Sequence, residues 1–321
     1  MIRDFQHLET GTLVAPLGLR FRDVVTNTFV NDGLNVTVYP EGDNARRVSA
    51  FANRAGVYVL HHAPGLHEFE QGAGDDDFWA HMPPAKPFVV EVEDNERRFL
   101  PFSLKLTLPQ RRIYRWVSPL DGSPVASPLG EPAPISPVPL YSAPTRTPLA
   151  GLAVLRAELW NPQTSEPAAW AVVEARTNGQ LLARGIADER GRLALIFPYP
   201  PPIKFAVSSP AGSPDSPPVP RGPALLAQEW PITLSAGYTL SSPPAPQLDE
   251  LAPDELFPLP DLRATLAQTL APPATLWLDF TRRVGLPVLT LRYGSALVLK
   301  SDDSVNNSPP APQSVLFITP A

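Results

Sequence analysis

The residues that could do chemistry in this chain are concentrated between His61 and Glu93. The chain has 5 histidines, His7, His61, His62, His67 and His81. A metal needs several of them converging, and His62 with His67 and Glu68 is the best such grouping. His61 and His62 are neighbours, so on a strand they point to opposite faces and cannot share one ion. Asp75-Asp76-Asp77 offers hard oxygen ligands suited to Ca²⁺. It lacks the alternating ligand spacing of a calcium loop and runs straight into Phe78-Trp79. The expectation is a solvated histidine loop followed by a charged loop whose aromatic pair plugs an apolar gap.

Carboxylates occur at i, i+2 in Glu68/Glu70 and in Glu91/Glu93, which puts both members on one face of a strand. Glycoside hydrolysis needs two carboxylates facing a cleft, whereas alternating charge is also what the solvent side of a strand carries. A hydrolase of polymers would have to lose activity when Glu68 or Asp76 is neutralised. No G-x-S-x-G elbow, P-loop or H-E-x-x-H is present. With 0 cysteines, disulfides, thiolate catalysis and Cys-ligated zinc are excluded. No catalytic, cofactor-binding or metal site is assigned, and the chain is read as not an enzyme.

The 6 tryptophans are Trp79, Trp116, Trp160, Trp170, Trp230 and Trp277. A glycan-binding module would display such rings as stacking platforms. Trp160 and Trp170 fall in or beside strands, so packing in a core or interface is expected of them. Asn35-Val36-Thr37 matches a glycosylation acceptor by chance, because Met1–His7 is polar and has no apolar signal core. No apolar run approaches the ~20 residues of a membrane-spanning helix. The reading is a cytoplasmic product without an integral membrane segment, with specialised secretion or release by lysis left open. Net charge is -6, with 26 basic against 32 acidic residues and no basic stripe, so nucleic acid is not an expected partner.

The elements that must position these residues are strands. Proline accounts for 43 of 321 residues, against a usual ~5%. It lacks the N–H that ladders and helices need, so long helices and central strands are excluded where prolines cluster. Leu17–Asp23, Leu34–Tyr39, Val57–His61, Phe88–Glu93 and Arg98–Leu108 read as strands by alternation and by bounding turns, with Pro101 bending the last. A second set follows at Leu152–Trp160, Ala169–Arg176, Leu181–Ile186, Arg192–Phe197 and Gln228–Ala236, with Lys204–Val207 as a candidate edge strand. The tail adds Thr275–Phe280, Pro287–Arg292, Ala296–Leu299 and Val315–Thr319. The helical candidate lies within Leu248–Leu270, where Leu262, Leu266 and Leu270 share a face, Asp261 caps and Pro272 stops.

The two sets share a pattern. A strand ends in a polar turn at Asp23 or Asn161, an alternating strand follows, and a D/N-x-x-G turn (Asn53–Gly56, Asp188–Gly191) opens the next strand. The spacing between these turns is similar in both copies, as duplicated modules require. The fold class is mainly β: two small antiparallel β-sandwich modules joined by a Pro-rich extended linker, with a β-rich C-terminal part containing one short helix. The boundaries are 1–116 for the first module with its N-terminal arm, 117–148 for the linker, 149–240 for the second module and 241–321 for the C-terminal extension. From Ser118 to Pro148 proline recurs every few residues, so that segment is expected to be extended and semi-rigid. It serves either as a spacer or as a strap along a neighbouring subunit.

Both copies resemble the carboxypeptidase-regulatory-like, transthyretin-type β-sandwich. Pro167-Ala168-Ala169-Trp170-Ala171-Val172 and Asp188-Glu189-Arg190-Gly191 carry the resemblance in the second copy. The first departs from it, with Val30 at the proline position and Asn53 for the aspartate. The segments Leu19–Thr26, Asp32–Val36, Asn53–Tyr58, His62–Leu66, Phe88–Val92 and Arg98–Phe102, in that order, resemble proteins encoded with phage-tail-like contractile injection systems. That likeness covers about the first 115 residues and, more loosely, Tyr293–Leu297 and Phe317–Ala321. It implies a non-catalytic structural part of the particle, around the baseplate or an accessory shell, with other baseplate, sheath or tube proteins as partners. It supplies no catalytic residues. The alternative is a glycan- or cell-envelope-binding β-sandwich module.

Overall fold

Alternating burial decides which face of each strand turns inward. In the computed structural model, Leu34, Val36 and Val38 are buried while Asn35 is exposed and Thr37 half-buried. The structure describes residues 13–116, 137–161, 166–202, 227–238, 276–279, 289–294, 297–298 and 315–317. These form two compact units. The first takes the described residues up to 96, then 101–116 and 137–140; the second takes 97–100 and the described residues from 141 onward.

The first unit contains β1 (Leu17–Leu19), β2 (Phe21–Asp23), β3 (Leu34–Pro40), β4 (Val48–Ala52), β5 (Tyr58–Leu60), α1 (His67–Glu70), α2 (Asp76–Ala80), β6 (Lys86–Asp94), β7 (Phe102–Leu108) and β8 (Val138–Leu140). Six strands make an antiparallel sheet in the order β1-β5-β4-β3-β6-β7, and β2 pairs with β8 in parallel. The Phe21 ring meets Tyr58 edge-on at 5.2 Å and Phe102 at 6.4 Å, which seats the β2–β8 pair over the inner face of the sheet. Leu17, Leu19, Phe21, Val38, Leu60 and Val90 have no exposed surface. Each such aliphatic or aromatic side chain stabilises the fold by about 1.5–3 kcal/mol.

Two findings here differ from the sequence reading. The loop assigned to Asp75–Asp77 is the start of a helix: Asp75 accepts a hydrogen bond from Phe78 N at 2.8 Å and so caps α2, which an aspartate does well. The short helix expected in the C-terminal part, Leu248–Leu270, lies outside the described residues. The second finding concerns the Pro-rich stretch. Residues 117–136 lie outside the described residues, but Val138 and Leu140 are fully buried. Val138 N donates to Arg20 O at 2.7 Å and Leu140 O accepts from Val24 N at 3.3 Å. Neither of these bonds calls on the missing N–H of Pro139, so proline is tolerated in this short outer strand.

The second unit contains β9 (Leu152–Asn161), β10 (Glu166–Pro167), β11 (Val172–Thr177), β12 (Gln180–Ile186), β13 (Arg192–Pro198), β14 (Glu229–Tyr238), β15 (Leu276–Asp279), β16 (Leu289–Arg292), β17 (Leu297–Val298) and β18 (Val315–Phe317). β9 is the hub of one sheet: β13 and β10 pair with it antiparallel, β17 and β18 in parallel. The other sheet runs β12-β11-β14-β15, with β16 also on β14. Leu155, Leu159, Leu193, Leu195 and Phe197 of the first sheet share one core with Val173, Ala175, Trp230, Ile232, Leu234 and Leu291 of the second, as in a sandwich. The four strands expected in the tail are present and extend these two sheets. Lys204–Val207 lies outside the described residues.

The duplication extends to the register. Leu17 faces Leu60 in the first unit as Leu155 faces Leu195 in the second. Val30 N donates to Phe21 O at 3.0 Å, and Ala168 N to Leu159 O at 2.9 Å. Phe29 bridges Arg22 as Pro167 pairs with Trp160. The residue standing at the proline position of the first copy is therefore Phe29, not Val30: the sequence alignment was one residue out, because hydrogen-bond register and not residue type defines the equivalence.

Candidate functional site

The residues with chemical potential in the first unit are engaged by the fold. Glu70, at the end of α1, is 2% exposed. Its carboxylate accepts from His62 N at 2.8 Å through one oxygen and from Ala63 N at 2.8 Å through the other. It therefore holds the break after β5, where His62 has φ +60. His62 Nδ1 stands 3.9 Å from the same carboxylate. His67 and Glu68 are exposed, and His67 Nδ1 lies 3.3 Å from Gln71 Nε2. The structure does not bring His62, His67 and Glu68 together as ligands. Among the described residues no three His, Asp or Glu side chains converge on a cation position.

Asp75, Asp76 and Asp77 diverge. Asp75 caps α2, Asp76 pairs with Arg111 and the Asp77 carbonyl accepts from His81 Nδ1 at 2.9 Å. The aromatic pair packs as anticipated: Phe69 lies 4.8 Å from Phe78 and 5.3 Å from Trp79. Gly72 is required beneath this cluster, since a Cβ there would sit 2.0 Å from a Phe78 ring carbon.

Glu91 and Glu93 share the outer face of the six-stranded sheet. Glu91 accepts from the Tyr39 hydroxyl at 2.8 Å and pairs with Arg47 at 2.6 Å, while Arg47 also lies over the Tyr39 ring at 4.7 Å. Glu93 is exposed. The same face carries Asn35, also exposed, and Phe51, 55% exposed and 5.6 Å from the His61 ring. Together they form an open aromatic and polar surface on the outer face of the six-stranded sheet.

The two D/N-x-x-G turns have one geometry. Asn53 Oδ1 accepts from Ala55 N at 2.9 Å and Val57 N at 3.0 Å. Asp188 Oδ1 accepts from Arg190 N at 2.9 Å and Arg192 N at 2.8 Å. Gly56 and Gly191 follow with φ +70 and +71, the left-handed conformation that glycine adopts without strain. Asp188 adds a bond from Arg192 Nε at 2.8 Å. That pairing holds the Arg192 guanidinium above the usual arginine range.

Sequence reasoning missed one charge network. Glu174 on β11 is 6% exposed and pairs with Arg176 at 2.8 Å and Arg184 at 2.7 Å. Burial alone would raise its pKa, but the hydrogen bonds and charges of Arg176 and Arg184 outweigh that and hold it below the usual carboxylate range. The signal was present as Glu174-x-Arg176 on an alternating strand, but the cross-strand partner Arg184 is set by register. Of the tryptophans, Trp230 is a core residue whose Nε1 donates to Pro201 O at 3.2 Å. Trp79, Trp116, Trp160 and Trp170 are half-buried. His7 and the side chain of Trp277 lie outside the described residues.

No family model and no curated protein matches the chain. Among solved structures it is similar to the Bacillus anthracis TIE protein, at 10% identity over 58% of this chain and 26% of that chain, with a TM-score of 0.22. It thus spans about a quarter of that protein's length. Klebsiella pneumoniae 5-hydroxyisourate hydrolase gives 13% identity over 46% of this chain and 83% of that chain, with a TM-score of 0.20. The shaft pilin SpaA of Lactobacillus rhamnosus GG gives 9% identity over 70% and 86%, with a TM-score of 0.19. At these scores the likenesses carry no functional argument. No helix among the described residues is long and apolar enough to cross a membrane.

Proposed function

We propose that this β-protein is a non-catalytic structural subunit of a larger assembly, working through its β-modules and extended Pro-rich segments. The observation that carries the reading is the use of its acids. Among the described residues the buried carboxylates are Asp23, Glu70, Glu174 and Asp188. Asp23 accepts from Val25 N and the Thr26 hydroxyl, both at 2.9 Å; Glu70 and Asp188 hold backbone turns; Glu174 is held by two arginines. An acid or base for catalysis has to be free to exchange a proton with a substrate, and these groups hold the scaffold instead.

The sequence resemblance carries the finer reading: a part of a phage-tail-like contractile injection particle, in the baseplate or an accessory shell, assembled in the cytoplasm and released with the particle. Extended segments rich in proline suit such a role because ordering them on a partner costs less entropy than ordering a flexible chain. The test is a pull-down from the native host with the full chain as bait and mass spectrometry of what it retains. Recovery of sheath, tube or baseplate proteins is expected. Recovery of none, with the protein bound to envelope glycan, would overturn the particle reading. The surface of Phe51, His61, Asn35 and Glu93 would then be the first place to mutate for the glycan-binding alternative.

A further inference from the structure

One face of the β1–β2 stretch gathers arginines without pairing them to acids. Arg20 and Arg22 alternate with the buried Leu19, Phe21 and Asp23, so both turn away from the core. Each is half-buried and held by a neutral acceptor: Arg20 Nη2 donates to Ala55 O at 3.0 Å, and Arg22 Nη1 to Asn27 Oδ1 at 3.2 Å. Their Nε groups are buried and have no acceptor. The bond to Ala55 brings the Arg20 guanidinium to the Asn53–Gly56 turn. There Arg54 is exposed, with no ion pair or side-chain hydrogen bond among the described residues. Phe29 joins the group: it is 51% exposed, bridges Arg22 and lies 4.8 Å from the Arg20 guanidinium, which stands over its ring. The acid of β2, Asp23, is buried and accepts from Val25 N and the Thr26 hydroxyl.

The second copy of the module shows how the fold itself balances this face. By the shared register Glu158 stands where Arg20 does, Glu189 where Arg54 does and Asp188 where Asn53 does. There Glu158 faces Arg192, and Arg192 Nε donates to Asp188 Oδ2 at 2.8 Å. The charges of Glu189 and Glu158 act on the same guanidinium. In the first copy arginine replaces both glutamates and a neutral amide replaces the aspartate. Like charges that repel one another are thus gathered without a counter-charge. Unsatisfied donors and unpaired charge both cost stability, and an oxyanion from outside supplies what the module omits. The sequence does not show the cluster as a stripe, because Arg54 joins Arg20 and Arg22 only when the turn closes on them.

We propose that this face is a docking site for an extended acidic segment of a partner subunit, with carboxylates at alternate residues. Arg20 and Arg22 sit two residues apart on one face, about 7 Å at the rise of a strand. Side chains i and i+2 of an extended partner chain project at that same spacing. A carboxylate takes the edge of a guanidinium through paired N–H bonds. Stacking of Arg20 on Phe29 occupies the face of the guanidinium and leaves its edge for that contact. The open Phe29 ring adds an apolar contact that a free inorganic anion cannot use. The inference rests on the assembly reading and names one contact through which assembly occurs.

The test uses the full chain and a fluorescein-labelled peptide in which glutamate alternates with threonine or leucine, read by fluorescence anisotropy at low and high salt. The same peptide with glutamine for glutamate, inorganic phosphate as a competitor and a labelled single-stranded oligodeoxynucleotide complete the set. The glutamate peptide is expected to bind, the glutamine peptide not, and salt to weaken the binding. Arg22→Gln with Arg54→Gln is expected to weaken it about tenfold or more, as for lost charge-assisted contacts. The charge-matched pair Arg46→Gln with Arg190→Gln, on exposed arginines elsewhere, should leave it nearly unchanged. Hydrogen exchange in β5 and β13 confirms that each variant is folded. Arg54→Gln alone, at an exposed side chain, is expected to weaken binding several-fold and serves if the pair does not fold. No binding of the glutamate peptide, or equal weakening by the two variant pairs, would overturn the proposal. Tighter binding of the oligonucleotide, or phosphate binding that matches the peptide's, would give the face to phosphates and overturn it as well. If the Arg22/Arg54 variant still recovers particle proteins in the pull-down, this surface alone is removed and the assembly reading stands. If wild type binds the peptide and recovers none, the particle reading falls and the acidic-segment site stands without it.

Discussion

The duplicated turn allows a matched pair of substitutions, Gly56→Ala and Gly191→Ala. Both glycines have nearly the same positive φ, so both alanines incur the same left-handed penalty, about 1–2 kcal/mol. The effect on the unfolded chain is also common to both. What differs is what the new methyl meets. At Gly56 a Cβ would lie 2.1 Å from Asn31 Oδ1, the end of a side chain that can rotate away. At Gly191 it would lie 2.3 Å from the Leu159 carbonyl oxygen. That carbonyl accepts from Ala168 N at 2.9 Å, and Leu159 N donates to Gly191 O at 2.8 Å. Moving the backbone far enough to relieve the contact loosens both bonds, about 1 kcal/mol each. Gly56→Ala should therefore cost about 1–2 kcal/mol and Gly191→Ala about 3–4 kcal/mol. Native-state hydrogen exchange is the suitable assay, because a chain of two units need not unfold in one transition. Protection is read separately in β5 and β13. Equal losses at the two sites, or a larger loss at Gly56, would refute the backbone-contact argument.

Three further outcomes follow from the same geometry. Glu70→Ala leaves two backbone N–H groups without their acceptor and should destabilise the first unit by about 3–5 kcal/mol, with Glu70→Gln intermediate because one acceptor survives; urea denaturation followed by hydrogen exchange at Ala63 reads this. Glu174 has a depressed pKa in the folded state, so its contribution is present above the ordinary carboxylate pKa and is lost as pH falls through the folded value. Wild type should lose stability in the second unit as pH falls below the ordinary carboxylate range and through the depressed folded value, and Glu174→Gln should flatten that part of the profile; an unchanged slope would refute the ion-pair account. Gly72→Ala drives a methyl into the Phe78 ring and should loosen the Phe69–Phe78–Trp79 cluster, seen as a shift of tryptophan emission without loss of the six-stranded sheet.

Much of this architecture was legible in the sequence because it is local. Period-two alternation at Leu34–Tyr39 marked a strand whose inner face is buried, and the turn at Asp188–Gly191 marked the start of the apolar strand Arg192–Phe197, which is buried on both faces from Leu193 to Phe197. Asp32-Gly33, Asn53–Gly56 and Asp188–Gly191 marked turns, because a short polar side chain and a glycine at φ > 0 act within four residues. The acids that look catalytic by spacing, Glu68/Glu70 and Glu91/Glu93, could not be sorted by sequence. Glu70 is buried by a loop eight residues back, while Glu91 depends on Arg47 and Tyr39 from neighbouring strands.

By its residue types alone, then, the chain is committed to short strands and tight turns, to folding without disulfides, and to two copies of one module. Which strand meets which was decided only in the folded molecule. Pairing is a long-range property: the same alternating run fits several edges until register and core burial choose one. That choice put proline-flanked Val138–Leu140 beside β2, gave the four tail strands to β9 and β14, and placed Arg184 opposite Glu174. It also aligned Phe29, and not Val30, with Pro167, because main-chain hydrogen bonds align residues by position whatever their side chains.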